Sequence, residues 1–470
     1  MRAPFENIRK AYFLGIGGIG MSALARYFKR NGVDVHGYDK TSTQLTQELE
    51  HEGFSVSYQD DPAKLPSWLS SAQFADEVLV VYTPAIPKDH IEFNHIKSIG
   101  FRIWKRSEVL GAITHGAHTI AVAGTHGKTT TSTMVAHLLK HASRNVTAFL
   151  GGISSNYGTN LLVGRSDASE IMVSEADEYD RSFLKLNPNT SVITSVDPDH
   201  LDIYGDRESM VSCYAEFASK LKPGGTLLIK EGSNMPLDGI EHKTYSASST
   251  ADYMANGIRV HDGAYVFDII GPNVSITDVV LYCPGRHNVE NALAAAVACL
   301  LEGLTPDEIR EGLCTFKGVH RRFEYRLRSD HRIVIDDYAH HPTELKAAIS
   351  TVRELYPGKK ILGVFQPHLF SRTRDFAEGF AQSLSMLDEL LMLDIYPARE
   401  LPIPGITSDM ILEMSTAPLK RMVSKQELSH VISQSNSDVV LILGAGDIDA
   451  LVSGVVDAVS KKSNSKTATP

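Results

Sequence analysis

Short apolar runs that end in glycine recur along this chain, and most are followed by apolar positions at helical spacing. Thr119 to Ala123 is one such run. It breaks at Gly124-Thr125-His126-Gly127, and Met134, Val135, Leu138 and Leu139 then fall on one helical face. Ala11 to Leu14 behaves likewise. It runs into Gly15-Ile16-Gly17-Gly18-Ile19-Gly20, a helical stretch follows from Met21 to Arg30, and a second strand from Val33 ends at the acidic Asp39. Further strands are predicted at Glu77 to Tyr82, Arg102 to Trp104, from Ile171, from Ser191, and at Gly224 to Ile229. Over 235–282 the pattern changes to short apolar segments separated by Gly, Asp, Ser and Asn, which predicts a small antiparallel excursion. Pro284 to Asn291 then opens an alanine-rich helix reaching about Leu301. Strand–helix alternation resumes, with strands from Ile333, Lys360 to Phe365, Glu389 to Leu393 and Val439 to Leu443.

This alternation predicts the α/β class in three domains. Residues 1–111 read as an N-terminal, dinucleotide-fold-like parallel sheet. Residues 112–323 read as a central P-loop ATPase-like sheet carrying the antiparallel excursion. Residues 324–460 read as a C-terminal doubly wound sheet, and 461–470 as a polar, disordered tail. Apolar content of 43% and charged content of 22% are ordinary for a soluble globular protein. The net charge of −10 argues against a general nucleic-acid binder. No apolar run is long enough to span a membrane, and the N-terminus lacks the apolar segment of a signal peptide. Cys213, Cys283, Cys299 and Cys314 form no Cys-x-x-Cys pair, so buried free thiols in a reducing cytoplasm are expected.

The chemistry gathers at strand ends. Gly124 to Thr130, between a strand and a helix, is the build of a phosphate-binding loop, with its first glycine at Gly124 rather than at Val122. Backbone N–H groups and the helix N-terminus suit a phosphate, Lys128 would reach its outer oxygens, and the Thr129 hydroxyl would meet Mg²⁺. The alternative is a tight turn without a ligand. Glu175, Asp177, Glu178 and Asp180 crowd one strand end, where a cation must offset their repulsion. Magnesium held to substrate phosphates is the natural one. His200, among Asp197, Asp199 and Asp202, is a candidate for a metal or phosphate role. Gly15-x-Gly17-x-x-Gly20 with Asp39 suits a dinucleotide, but the same glycines would take any nucleotide diphosphate. Thr83 to Pro87 turns away at another strand end, where the prolines serve either a ligand or merely the end of the strand. Asn288 and Asn291 lie three apart on a first helical turn, placed to read a base edge or, for Asn288, to cap the helix. Arg321 and Arg322 sit in a hinge within reach of a phosphate. Arg372 and Arg374, read as an extended segment, would aim both guanidiniums into one cleft, the alternative being a surface pair with Asp375.

Taken together, Gly124-Thr-His-Gly-Lys-Thr-Thr, Glu175-Ala-Asp-Glu, Asp199-His-Leu-Asp-x-Tyr-Gly, His287-Asn-x-x-Asn and Asp336-Asp-Tyr-Ala-His-His-Pro-Thr-Glu resemble the Mur ligases, in the family's order and over nearly the whole chain. These are cytoplasmic, ATP-dependent amide-forming enzymes of peptidoglycan synthesis. Gly15-Ile-Gly-Gly-Ile-Gly-Met and Gln366-Pro-His-x-x-x-Arg-Thr-Arg-Asp are most like the members that attach L-alanine to UDP-N-acetylmuramate. The resemblance implies an acyl phosphate made from ATP and the lactyl carboxylate, then attacked by the amine of L-alanine. It implies ATP contacts at Gly124, Thr125, His126, Gly127, Lys128, Thr129, Thr130, Asn288, Asn291, Arg322 and Asp337. It implies metal ligation by Thr129, Glu175 and His200. Sugar-nucleotide contacts would come from Gly17, Gly18, Ile19, Gly20, Asp39 and Thr83. The amino-acid pocket would hold Tyr338, His340, His368, Arg372 and Arg374, with Lys128, His200, His340 and Arg372 in catalytic roles. A monomer or homodimer is expected, with the ligand elements meeting in a cleft.

Rival readings leave more unused. An NAD-dependent oxidoreductase ignores the Lys-Thr loop and the carboxylates. A nucleotide-gated switch needs no acceptor pocket. A recycling ligase that adds a tripeptide to the same sugar nucleotide shares the first two domains, but is not expected to carry Gln366-Pro-His with Arg372-Thr-Arg374.

Overall fold

The computed structural model describes residues 4–70, 72–165, 167, 169–199, 201–329, 332–398 and 400–466, with 72–74, 201–202 and 461–466 described by backbone alone. By packing, the chain divides into two compact units. One comprises Met1–Gly257, Phe267–Val279 and Glu290–Phe316, and the other Ile258–Val266, Val280–Val289 and Lys317–Pro470. No helix among the described residues is long and apolar enough to cross a membrane.

The first unit begins with five parallel strands, β1 (Lys10–Leu14), β2 (Asp34–Tyr38), β3 (Ser55–Ser57), β4 (Val78–Tyr82) and β5 (Ile103–Lys105). Their order is β3-β2-β1-β4-β5. The chain builds one side of β1, then crosses to the other. The glycine loop after β1 therefore stands where an open sheet leaves a crevice. The second sheet is built from β6 (His118–Ala123), β7 (Val146–Ser154), β8 (Thr159–Leu162), β9 (Ile171–Glu175), β10 (Thr190–Ile193), β11 (Thr226–Lys230), β12 (His242–Ser246), β13 (Tyr253–His261), β14 (Ala264–Gly271) and β15 (Val274–Leu281). Its order is β15-β14-β13-β12-β11-β10-β6-β9-β7-β8. Strand β6 is interior, parallel to β10 on one side and β9 on the other, so the second glycine loop also stands at a switch point. The expected excursion appears as β13 to β15, joined by Asp262-Gly263 and Pro272-Asn273. Two-residue connections require antiparallel neighbours, and the positive φ of Asp262 (50°) and Gly263 (75°) suits such a turn. Its flanking strand β12 pairs parallel with both β11 and β13.

Strands β7 and β8 were not foreseen. They form an antiparallel pair at the sheet edge, and they matter for how the unit holds together. The helix Ile19–Arg30 packs on them. Phe13, Phe28 and Leu24 share one buried core with Phe149, Leu161 and Met172. Asn160 on β8 donates to the Ile19 carbonyl and, at 2.9 Å, to the Ser22 hydroxyl. Two sheets read as separate domains thus share one apolar core.

The second unit carries β16 (Glu324–Arg328), β17 (Ile333–Asp337), β18 (Ile361–Phe365), β19 (Glu389–Met392), β20 (Leu419–Met422) and β21 (Val439–Leu443), in order β16-β17-β21-β18-β19-β20. All pairings are parallel except that of the edge strand β16, which runs antiparallel to β17. Buried residues line both faces, one around Phe365 and Phe380, the other around Leu391 and Val455. That makes the central strands near-continuous apolar runs. The last helix continues to Lys466, inside the stretch 461–470 read as disordered, while 467–470 lie outside the described residues. Three cysteines are buried as expected, but Cys314 is exposed.

Candidate active site

The loop after β6 is tied down by its neighbour strand. Gly124 has φ +130°, and a Cβ there would stand 2.1 Å from Thr194 Oγ1, so only glycine lets the loop pass β10. The Thr125 N–H donates to the Ser195 carbonyl at 3.1 Å and its hydroxyl to the Asp197 carbonyl at 2.8 Å. The His126 N–H donates to Ser195 Oγ at 2.8 Å, while Thr194 Oγ1 donates to the His126 carbonyl. His126 thus shapes the turn through its backbone, and its ring lies 3.5 Å from Asp197. These bonds commit the Thr125 and His126 N–H groups. The first-turn N–H groups of the helix Lys128–His141, on Lys128, Thr129 and Thr130, suit a phosphate. Gly127, with φ +82°, precedes that helix, and Asn291 Oδ1 lies 2.4 Å from where its Cβ would be.

Lys128 occupies the centre of the loop. Its Nζ donates to the Gly124 carbonyl at 2.7 Å, the Thr125 carbonyl at 3.2 Å and Glu178 at 2.8 Å. Burial works against its charge, but Glu178, Glu175 and Asp177 prevail and hold its pKa above the ordinary value. Burial pushes Glu178 up to about 7 despite Lys128. The Tyr204 hydroxyl donates to the Glu178 carbonyl at 2.6 Å and fixes that turn. Glu175 ends β9 in register with Val122, and its carboxylate fills the space over Gly151. Thr129 and Glu175 offer hard oxygen donors beside this loop. Among the described residues no group of three or more His, Cys, Asp or Glu could cage a metal alone. Such a donor set suits Mg²⁺, which is bound by one or two protein oxygens with phosphates completing the shell. His200 lies outside the described residues.

The first glycine loop is built differently. The Gly17 N–H donates to Asp39 Oδ2 at 2.8 Å, and a Cβ on Gly17 would strike Thr46 and Asp39. Asp39 therefore anchors the loop through its carboxylate. A Cβ on Gly20 would stand 2.7 Å from Nη1 of Arg106, a residue that sequence reasoning missed. Arg106 opens the helix Arg106–His115, and its Nη2 donates to Asp177 Oδ2 at 2.9 Å. Beside it, Lys105 Nζ contacts Asp180 at 3.1 Å. A cleft of about 240 Å³ runs along this contact, lined by Gly18, Ile19, Gly20, Thr83, Arg106, Gly151, Glu175 and Asp177, among others. The glycine loop and the acidic strand end, distant in sequence, thus share one cleft.

In the second unit Tyr338, His340, His368 and Arg372 come together. The rings of Tyr338 and His340 lie 5.2 Å apart, and those of His340 and His368 6.1 Å. Arg372 Nη1 is 3.4 Å from His368 Nδ1. Tyr396, also missed, stacks on His368 at 5.8 Å. The paired-arginine expectation is corrected here. Residues 370–384 are helical, not extended, so Arg372 and Arg374 point about 200° apart around the axis. Arg372 is buried, whereas Arg374 is half exposed and bonded to Asp375 at 2.7 Å. Asp337 accepts from the Phe323 and Ala339 N–H groups at 2.8 Å each, and burial raises its pKa to about 6 against the pull of Arg322. Arg322 and Arg321 flank the Tyr338 ring at 5.0 and 5.1 Å. Arg321 itself is spent on structure, donating to the Gly444 carbonyl at 2.7 Å. Asn288 does not cap its helix, which starts at Arg286. Its side chain donates to the Pro284 carbonyl at 2.6 Å.

Three family models match the chain in succession: Mur ligase family, catalytic domain, at residues 10–118; Mur ligase middle domain at 122–299; and Mur ligase, glutamate ligase domain, at 321–446. The UDP-N-acetylmuramate–L-alanine ligase of Parabacteroides distasonis is 49% identical over 460 residues, covering 97% of this chain and 98% of the relative. That of Porphyromonas gingivalis strain W83 is 51% identical over 450 residues, covering 95% and 98%. Among solved structures, the UDP-N-acetylmuramate–alanine ligase of Thermotoga maritima has a TM-score of 0.82 at 28% identity, covering 96% of this chain and 99% of its own. A murein peptide ligase of Psychrobacter arcticus shares the fold, with a TM-score of 0.69 at 21% identity and coverage of 96% and 98%.

Proposed function

Because this chain belongs to the Mur ligase family, we propose that it joins L-alanine to the lactyl carboxylate of UDP-N-acetylmuramate, driven by ATP. The observation that carries this reading is the loop centred on Lys128, with Glu178 at 2.8 Å and the cleft reaching Glu175 from the first glycine loop. The names of relatives about half identical over nearly the whole chain favour alanine over a tripeptide as the acceptor.

The lactyl carboxylate attacks the γ-phosphorus of ATP, ADP leaves, and an acyl phosphate forms. The amine of L-alanine then attacks the acyl carbon, and the tetrahedral adduct expels phosphate to leave the amide. Both partners in the first step are anionic, so the protein's work is positioning and charge neutralisation. Lys128 and the helix N-terminus at Lys128 to Thr130 would neutralise the outer phosphates. Thr129 and Glu175 would hold the magnesium ion that accompanies ATP, and the ion supplies further charge neutralisation when bound. His200 would orient a second ion. Asn288 and Asn291 would read adenine, with Arg322 and Asp337 on the rest of the nucleotide. Gly17, Gly18, Ile19, Gly20 and Thr83 would take the UDP diphosphate on the loop that Asp39 anchors. Tyr338, His340, His368 and Arg372 would form the alanine pocket, Arg372 taking the carboxylate. The protein would act in the cytoplasm, as a monomer or homodimer, through domains at 1–111, 112–323 and 324–460.

The test is phosphate release with ATP, magnesium, UDP-N-acetylmuramate and, in turn, L-alanine, glycine, L-serine and a murein tripeptide. Release that needs all components and is fastest with L-alanine is expected. Release only with the tripeptide would replace this reading with the recycling reaction.

A further inference from the structure

We propose that Arg106 binds the diphosphate of the sugar nucleotide, and that it does so by exchanging Asp177 for the substrate. The inference rests on the reading of the 240 Å³ cleft as the sugar-nucleotide site. Among the described residues that line this cleft, Arg106 is the one cation, and the other charged groups are Glu175 and Asp177. A diphosphate entering there faces two carboxylates. The N-terminus of the helix Ile19–Arg30 offers N–H groups but only a fraction of a positive charge, about half a unit. A full positive charge is needed beside it.

Arg106 is built to supply that charge. Its Nη1 and Cδ lie 2.7 and 3.2 Å from where a Gly20 Cβ would stand, so the guanidinium rests against the helix end that would take the phosphates. The missing Cβ of Gly20 makes room for Arg106 as much as for a ligand. On its other side Nη2 donates to Asp177. A planar guanidinium reads carboxylate and phosphate with the same fork, so the two anions compete for it. The resident pair is weak, because its side chains are 18% and 38% exposed and solvent screens them. Asp177 keeps the Tyr179 N–H at 3.1 Å when the guanidinium turns, and Lys105 still tethers Asp180. The acidic turn therefore stays in place while Arg106 changes partner.

The test is calorimetric titration of the intact protein with UDP and with UDP-N-acetylmuramate, without ATP, and separately with ATP and magnesium. Arg106→Gln should weaken both uridine ligands by a similar factor, about tenfold or more, and Arg106→Lys by less, because the fork is lost but the charge remains. ATP binding should be unchanged in both variants. Asp177→Asn should move the other way and tighten both uridine ligands severalfold, because nothing then competes for the guanidinium. Thermal midpoints near that of the wild type exclude misfolding as the cause, and Arg106→Lys serves where Arg106→Gln fails to fold. A purely structural salt bridge predicts that Arg106→Gln and Asp177→Asn shift affinity in the same direction, and that result overturns the proposal. So does weakening confined to UDP-N-acetylmuramate, which would put Arg106 on the lactyl carboxylate. If the wild type binds neither uridine ligand, the reading of the cleft itself fails, an outcome distinct from both.

Discussion

The two glycine loops of the first unit have the same build but draw their positive charge from different places. Each joins the end of an interior parallel strand to a helix at a switch point of its sheet. The second loop carries its own cation. Lys128 is the first residue of its helix and lies within the turn it serves. The first loop, Gly15 to Gly20, has no charged residue, and its cation arrives from another strand end as Arg106. Their glycines differ accordingly. Gly124 admits the Thr194 hydroxyl and the backbone of Thr194 and Ser195 just past β10, whereas Gly17 and Gly20 admit the side chains of Asp39 and Arg106. A loop with a resident lysine is braced by backbone contacts and keeps its charge in place. A loop with a borrowed arginine can have that charge drawn away by a competing acid, here Asp177.

Four substitutions probe this contrast. Lys128→Ala should lower turnover by about a hundredfold or more, since it removes the resident charge from a phosphoryl-transfer site. Sugar-nucleotide affinity should hold, and turnover within a few-fold of wild type would mean that the second loop also borrows its charge. Glu178→Gln tests the buried partner of Lys128. Glu178 is raised to about 7 in the folded protein from an ordinary 4.5. The stability it contributes is therefore present below pH 4.5 and is lost as pH rises through about 7. The Gln variant should match the wild type below pH 4.5 and be more stable above pH 7, by about 3 kcal/mol. Denaturant midpoints across that range decide it, and a variant less stable at pH 8 would show that Lys128 wins over burial. Gly20→Val should raise the KM for UDP-N-acetylmuramate about tenfold by displacing Arg106, and leave the KM for ATP alone. Loss of ATP affinity instead would erase the distinction between the loops. Asp39→Ala should have the smallest effect, about 1 kcal/mol of stability, chiefly from the lost hydrogen bond to the Gly17 N–H, the one to the Thr41 N–H being longer and exposed. An unchanged midpoint would leave the first loop anchored by something other than Asp39.

The arginine pair in the second unit depends on backbone geometry that residue spacing alone does not fix. Spacing of two implies a shared face only if the backbone is extended, and Phe370–Leu384 is a helix. A positive φ of 71° at Leu369 lets the chain turn sharply into that helix directly after Pro367-His368. No propensity signal announces such a turn at a leucine. Tyr338, His340, His368 and Arg372 come together through helix geometry rather than along an extended strand end.

What the amino-acid order determined by itself is local. Apolar runs ending in glycine specified the strands, the periodic residues after them specified the helices, and Gly124 to Thr130 specified a glycine turn with a lysine at the start of its helix, because strand, turn, lysine and helix lie within a few covalent bonds of one another. Tertiary structure decided everything that depends on which strand ends adjoin. The order β1-β4-β5 brings Arg106 to Gly20, and the pairing of β6 with β9 brings Glu175 and Glu178 to Lys128. The core shared by Phe28 and Phe149 packs the first sheet's helix against the second sheet. Hydrophobic burial is non-directional and indifferent to separation along the chain. The periodic pattern therefore says which side chains must be buried, and only the assembled sheets say against what.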